Sequence, residues 1–243
     1  MSGDLVRREE VGELVGRLSS EDVSRRERGR LLTQLGGLLS SGMRGAGAGA
    51  AVTGRWLTEV VAEVAPHIPV RDLVTLRQHY GGLSGDALAE ALVRQASVST
   101  AGVGAAGGAL AAAQHAAPPT LLVVPVQLAA ETVAVVAIEL KLVAELHVTY
   151  GRAPSGSGSE LAAGYLGAWA LKRSLRPGAR QPGIEIVLAA AVKQQLRRRV
   201  VRRLARNVAT LAPFLAGAVA GAELNRRETR SLGDAIVKDL RRR

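Results

Sequence analysis

The sequence predicts an all-α protein, a multi-helix bundle built around a central Ala/Gly-rich apolar helical hairpin. Three observations predict it. No stretch alternates apolar and polar residues for long enough to demand a half-buried strand. Only the short apolar runs 121–126 (LLVVPV) and 184–192 (IEIVLAAAV) are ambiguous in period. Phe, Trp and Tyr supply just 2% of the chain, while Gly occurs 28 times. The core must therefore be built from Ala, Val and Leu, with small residues that let helix backbones approach closely. Finally, the 36 residues from Gln95 to Ala130 carry no charge, counting His115 as neutral.

Taken in order, residues 4–40 read as two highly charged, largely solvated helices. Ser20, Glu21 and Asp22 mark the start of the second. Residues 42–50 (GMRGAGAGA) form a Gly/Ala joint or a close-packed corner. A helix from Arg55 to Val64 is broken by Pro66 and Pro69. Another, over 70–80, ends at Gly81-Gly82, and Ser84 or Asp86 caps the next, from Ala87.

The hairpin follows. Its first helix covers about 96–117, it turns at Pro118-Pro119, and its second helix runs to Tyr150-Gly151, with Pro125 in its first turns. Its length raises the question of a membrane span. Glu131, Glu139, Lys141 and Glu145 argue against one, since a charge at the bilayer centre costs about 2.5–3.5 kcal/mol. The apolar core Val133–Ile138 is also too short to span alone. A buried hairpin, or one lying against a membrane, is expected instead. The three carboxylates read as a solvated stripe, with Lys141 and Glu145 as an i,i+4 pair. The competing reading pairs them with Arg elsewhere or lines a cavity with them.

Residues 152–159 (RAPSGSGS) and 177–183 (PGARQPG) read as loops around a helix at 160–173. A long helix is expected from Ile184 to Thr210, then an apolar segment at 211–222, then a charged tail helix from Ser231 to Arg243. Two units result: 1–50, the charged N-terminal helices with the Gly/Ala joint, and 51–243, the helical domain with its basic C-terminal helices.

Charge is unevenly placed. Of the net +11, residues 193–243 hold 14 Lys/Arg and 4 Asp/Glu, a net of +10. Such asymmetry points to an anionic partner. Leu196, Val200, Leu204, Val208 and Leu211 share one helical face, and Arg197, Arg198, Arg199, Arg202, Arg203 and Arg206 largely cover the rest. A basic amphipathic helix of this kind suits an anionic membrane, an acidic protein or nucleic acid. These six arginines are the candidate lipid-, anion- or partner-binding residues.

No catalytic constellation emerges, and the chain reads as a non-enzymatic protein. With no Cys there is neither a disulfide nor a thiolate metal site. His67, His79, His115 and His147 are scattered, so no metal is expected. Gly102-Val103-Gly104-Ala105-Ala106-Gly107 spells GxGxxG, but the residues before it look helical and no acidic residue follows about 20 positions on. Helix packing is the expected role of Gly104 and Gly108, and of Gly217 and Gly221, each pair in GxxxG spacing. No cofactor is expected.

The segment Lys141-Leu-Val-Ala-Glu145-Leu-His-Val-Thr-Tyr150-Gly151 follows a Pro-containing apolar hairpin. Upstream lie Arg71 and His79-Tyr80-Gly81-Gly82-Leu83. Downstream lie Pro213, Gly217, Gly221, Leu224-Asn225-Arg226, Thr229 and Gly233. Over about 60–240 this arrangement resembles the EcsC family of helical, membrane-associated bacterial proteins, which has no established activity or catalytic residues. The resemblance implies a membrane-associated helical protein, and Glu131 and Glu139 in the apolar centre depart from its pattern. The expected partners are an anionic membrane surface or a protein, a second copy of the chain included. Nucleic acid bound through 193–206 is the alternative, and no small-molecule substrate is identified. With no apolar leader at the N-terminus, the expected location is the cytoplasmic side of the cell membrane, or the cytoplasm.

Overall fold

The computed structural model describes residues 2–20, 22–46, 55–115, 123–153, 158–174 and 215–242. Among them every regular element is helical. Eight α-helices are described: α1 (Ser2–Leu18), α2 (Arg25–Ala46), α3 (Arg55–Val64), α4 (Leu73–His79), α5 (Gly85–His115), α6 (Val123–Thr149), α7 (Gly158–Ser174) and α8 (Leu215–Arg242). A 3₁₀ turn, Ala65–His67, follows α3 where Pro66 cannot continue it.

Helix α6 is the axis. Apart from Glu131, Glu139, Lys141 and Glu145 its apolar residues run all the way round, which suits a helix surrounded by others. Helices α1, α2, α3, α5, α7 and α8 all pack against it. Nearly every residue from Leu128 to Leu146 is buried. That encirclement accounts for the length of the apolar run. Among the described residues no helix is long and apolar enough to cross a membrane.

Helices α5 and α6 form the hairpin, antiparallel, with α8 antiparallel to α5 and touching α6 as well. Asp86 at the start of α5 meets Tyr150 after α6 and Arg241 at the end of α8. Gly104 in mid-helix meets Gly221. Two ends are closed alike. Gly82 N–H donates to Arg77 O (2.7 Å) after α4, and Arg152 N–H donates to His147 O (2.8 Å) after α6. The intervening Gly81 (φ 62°) and Gly151 (φ 64°) adopt the left-handed conformation that this helix ending requires.

Four expectations need correction. The N-terminal helices are not largely solvated. Val11, Val15 and Leu18 of α1, and Leu31, Leu32, Leu35 and Leu39 of α2, recur at helical spacing and join the same core as α5 and α6. Helix α2 starts at Arg25 rather than Ser20. Ser24 Oγ accepts from Glu27 N–H (3.2 Å), while the Ser19 and Ser20 hydroxyls donate back to Gly16 O and finish α1. Residues 42–46 continue α2. The C-terminal region is one continuous helix from Leu215 to Arg242, because the stripe through Asn225, Thr229, Leu232, Ile236 and Leu240 stays buried across Ser231. The rest of the Gly/Ala joint, Pro118-Pro119, the 177–183 loop and the helix expected at 184–210 lie outside the described residues.

Candidate functional site

The expectation of a solvated carboxylate stripe on α6 is overturned. Glu139 is 0% exposed and Glu145 2%. A buried carboxylate survives only with hydrogen-bond or charge partners, and each has found different ones.

Glu139 lies at the meeting of four helices. Trp169 Nε1–H on α7 donates to one of its oxygens (2.8 Å), and Thr229 Oγ1–H on α8 donates to the other (2.9 Å). Thr100 on α5 hydrogen-bonds Thr229 hydroxyl to hydroxyl (3.0 Å), and Asn225 Nδ2–H donates to Thr100 O (3.1 Å). All five side chains are buried. Sequence reasoning missed this cluster. Its members lie in four separate segments, and the one available signal was a Trp in an aromatic-poor chain, whose N–H needs a partner once buried.

Glu145 is held by cations. Arg71 grips it through Nε (2.8 Å) and Nη2 (3.0 Å), and Lys141 Nζ approaches to 3.3 Å. The i,i+4 pair read from the sequence is thus present but buried beside an arginine 74 residues away. Tyr80 stands under the Arg71 guanidinium, 5.6 Å from its ring centre. Arg71, Tyr80, Lys141 and Glu145 line a cavity of about 20 Å³ with Ser19 and Ser99. That is room for about one water and far below a metabolite pocket. Glu131, half-buried, accepts from Gln127 Nε2 (3.3 Å), which also donates to Gly107 O (2.6 Å).

The GxGxxG glycines lie inside α5, with no strand before them. Each makes room for something different. A Cβ at Gly102 would meet the Arg28 guanidinium at 2.8 Å, one at Gly104 the backbone oxygen of Gly221 at 2.6 Å, and one at Gly107 the Glu131 carboxylate. At Gly108 it would collide with the backbone of Ala218. Gly217 falls within α8. Buried Arg28 donates to Ser99 O and Val23 O, and its burial pushes its pKa down.

At the end of the bundle, Asp86 accepts from Tyr150 Oη–H (2.5 Å) and Arg241 Nε–H (2.9 Å). These bonds, Tyr150's first, hold its carboxyl below the usual range. Burial, then the bond to Asp86, pushes the Tyr150 phenol up. Of the two caps expected for α5, Ser84 holds the position, its carbonyl accepting from Leu88 N–H (3.4 Å), while the Asp86 side chain ties three helices together instead.

The arginines at 197, 198, 199, 202, 203 and 206 lie outside the described residues. Among the described residues no group of three His, Asp or Glu side chains could hold a metal ion. No protein-family model, curated protein or solved structure matches the chain.

Proposed function

We propose that this is a non-enzymatic, membrane-associated helical protein that acts by binding a lipid surface or a partner, with its basic C-terminal quarter as the contact. The observation that carries this reading is the placement of charge, +10 of the net +11 on residues 193–243. Near an anionic surface each Lys or Arg contributes about 1 kcal/mol. The six arginines of 197–206 would then suffice for reversible attachment. The resemblance to the EcsC family points the same way. Arg71, Glu145, Asn225 and Thr229, which help carry it, also form the internal polar pairs that brace the bundle. The cytoplasmic side of the cell membrane fits this reading.

The test is extraction of the native membrane pellet with high salt, carbonate and detergent in turn. Release by salt is expected, and glutamine at Arg197, Arg198, Arg199, Arg202, Arg203 and Arg206 should move the protein to the supernatant. A protein wholly in the soluble fraction from the start would sink the membrane reading. The second reading, nucleic-acid binding through 193–206, would then lead. It predicts affinity falling steeply with salt, but the segment lacks the rings that stacking platforms use.

A further inference from the structure

Six large apolar side chains stand exposed among the described residues, and four of them, Val70, Leu73, Val74 and Leu83, fall between residues 70 and 83. Scattered exposed apolar residues need no explanation, but a cluster rimmed by charge marks a binding surface. Helix α4 buries only Leu76 and turns Leu73 and Val74 outward, Val74 with 66% of its surface exposed.

This segment is held in place. Arg71 grips Glu145, and Lys141 Nζ donates to Pro69 O (2.8 Å), so both flanks of Val70 are tied to α6. Asp72 Oδ1 accepts from Thr75 N–H (2.7 Å) and fixes the start of α4. The apolar residues are therefore presented rather than left loose.

They are also presented at one end of the bundle. The chain passes from α4 through Gly81-Gly82 and Leu83 directly into α5, where Asp86 joins Tyr150 and Arg241. The ends of α6 and α8 thus converge at Asp86, three residues after Leu83. The exposed charged residues of these segments are Arg77, Arg152, Lys238, Arg241 and Arg242 against Asp72, Asp86 and Glu90. Two of the carboxylates are engaged, Asp72 in its cap and Asp86 in the three-helix knot.

We infer that this end of the bundle is a membrane-docking tip. Val70, Leu73, Val74 and Leu83 enter the interface of an anionic bilayer, and Arg77, Arg152 and Arg242 meet lipid phosphates. Apolar side chains within a cationic rim match the two layers of a bilayer surface, acyl boundary below and anionic headgroups above. The inference rests on the membrane reading above and adds to it a second contact, distinct from 197–206.

The test is flotation of the intact chain with vesicles of phosphatidylcholine alone or mixed with phosphatidylglycerol. The variant Val70→Ser/Val74→Ser/Leu83→Ser removes only exposed side chains, so helix content and melting temperature should hold. Its binding to mixed vesicles should weaken by roughly ten- to a hundredfold. Val74→Trp should bind more tightly, and its emission should shift to the blue on mixed vesicles. Unchanged binding by the triple variant, with no emission shift in Val74→Trp, overturns the inference. If the wild-type chain still floats and the glutamine substitutions at 197–206 release it, the broader membrane reading survives that result. Failure of the wild-type chain to float with either vesicle at low salt overturns both.

Discussion

Helix α5 has two differently built interfaces. Toward α8 it offers glycine to backbone: Gly104 faces the backbone oxygen of Gly221, and Gly108 faces the Cα and N of Ala218. Toward α6 it offers glycine to a side chain: Gly107 faces the carboxylate of Glu131. Gly107 and Gly108 are neighbours in sequence, and both would clash with an added Cβ, yet the obstacles differ in kind. A backbone atom in a packed helix cannot move without carrying its helix along, whereas the far end of a Glu side chain can choose another rotamer. At Gly104 and Gly108 the α5–α8 seam is fixed by steric exclusion, with the hydrogen bonds of Thr100 to Asn225 and Thr229 one turn away. The contacts around α6 depend on which polar groups find partners.

The largest effect is expected from Gly104→Val or Gly108→Val. Either should destabilise the bundle by about 3 kcal/mol or more by forcing α8 away, read as a lowered denaturation midpoint. A midpoint unchanged by both would mean that the seam is not close-packed. On the α6 side, Arg71→Ala should cost about 3 kcal/mol, because it leaves buried Glu145 with Lys141 as its cation. Arg71→Lys should recover only part of this, since Lys cannot make the forked contact.

A smaller effect belongs to the knot at the bundle end. The pKa of Asp86 is depressed in the folded state, so its contribution is present above the ordinary carboxylate range. It is lost as pH falls through the lower, folded value. Melting curves of Asp86→Asn and the wild-type chain should differ near neutral pH and converge in acid. A gap that stays constant down to strongly acid pH would show that the carboxylate charge is not what the knot uses. The smallest effect is expected at Gly107→Ala. Relief of the helix penalty of glycine, about 1 kcal/mol, should offset the movement of Glu131 and leave stability nearly unchanged. Destabilisation as large as that of Gly108→Val would erase the distinction between the two faces.

Much of the fold was legible because its signals are local. Pro66, Gly81-Gly82 and Gly151 end helices through their own backbone chemistry, so they could be read without neighbours. The apolar run of α6 pointed to a hairpin either buried or lying against a membrane. The start of α2 was misplaced because Ser20 and Ser24 are both competent caps, and only packing selects between them. The polar cluster was not legible. A glutamate in an apolar helix reads as a solvated stripe unless its partners are known, and those of Glu139 lie 30 and 90 residues away.

The sequence by itself determined the helical class, the helix-ending glycines and prolines, the glycine-rich composition of the hairpin and the concentration of charge after Val192. Each follows from backbone preference or from counting, which act on a few adjacent residues. Only the tertiary structure decided that Glu139 and Glu145 are buried, that Gly102, Gly104 and Gly107 serve an arginine, a backbone and a carboxylate, and that Val70, Val74 and Leu83 stand outward. Burial is a property of the neighbours a side chain acquires. Those neighbours come from helices far apart in the chain, so no local pattern encodes them.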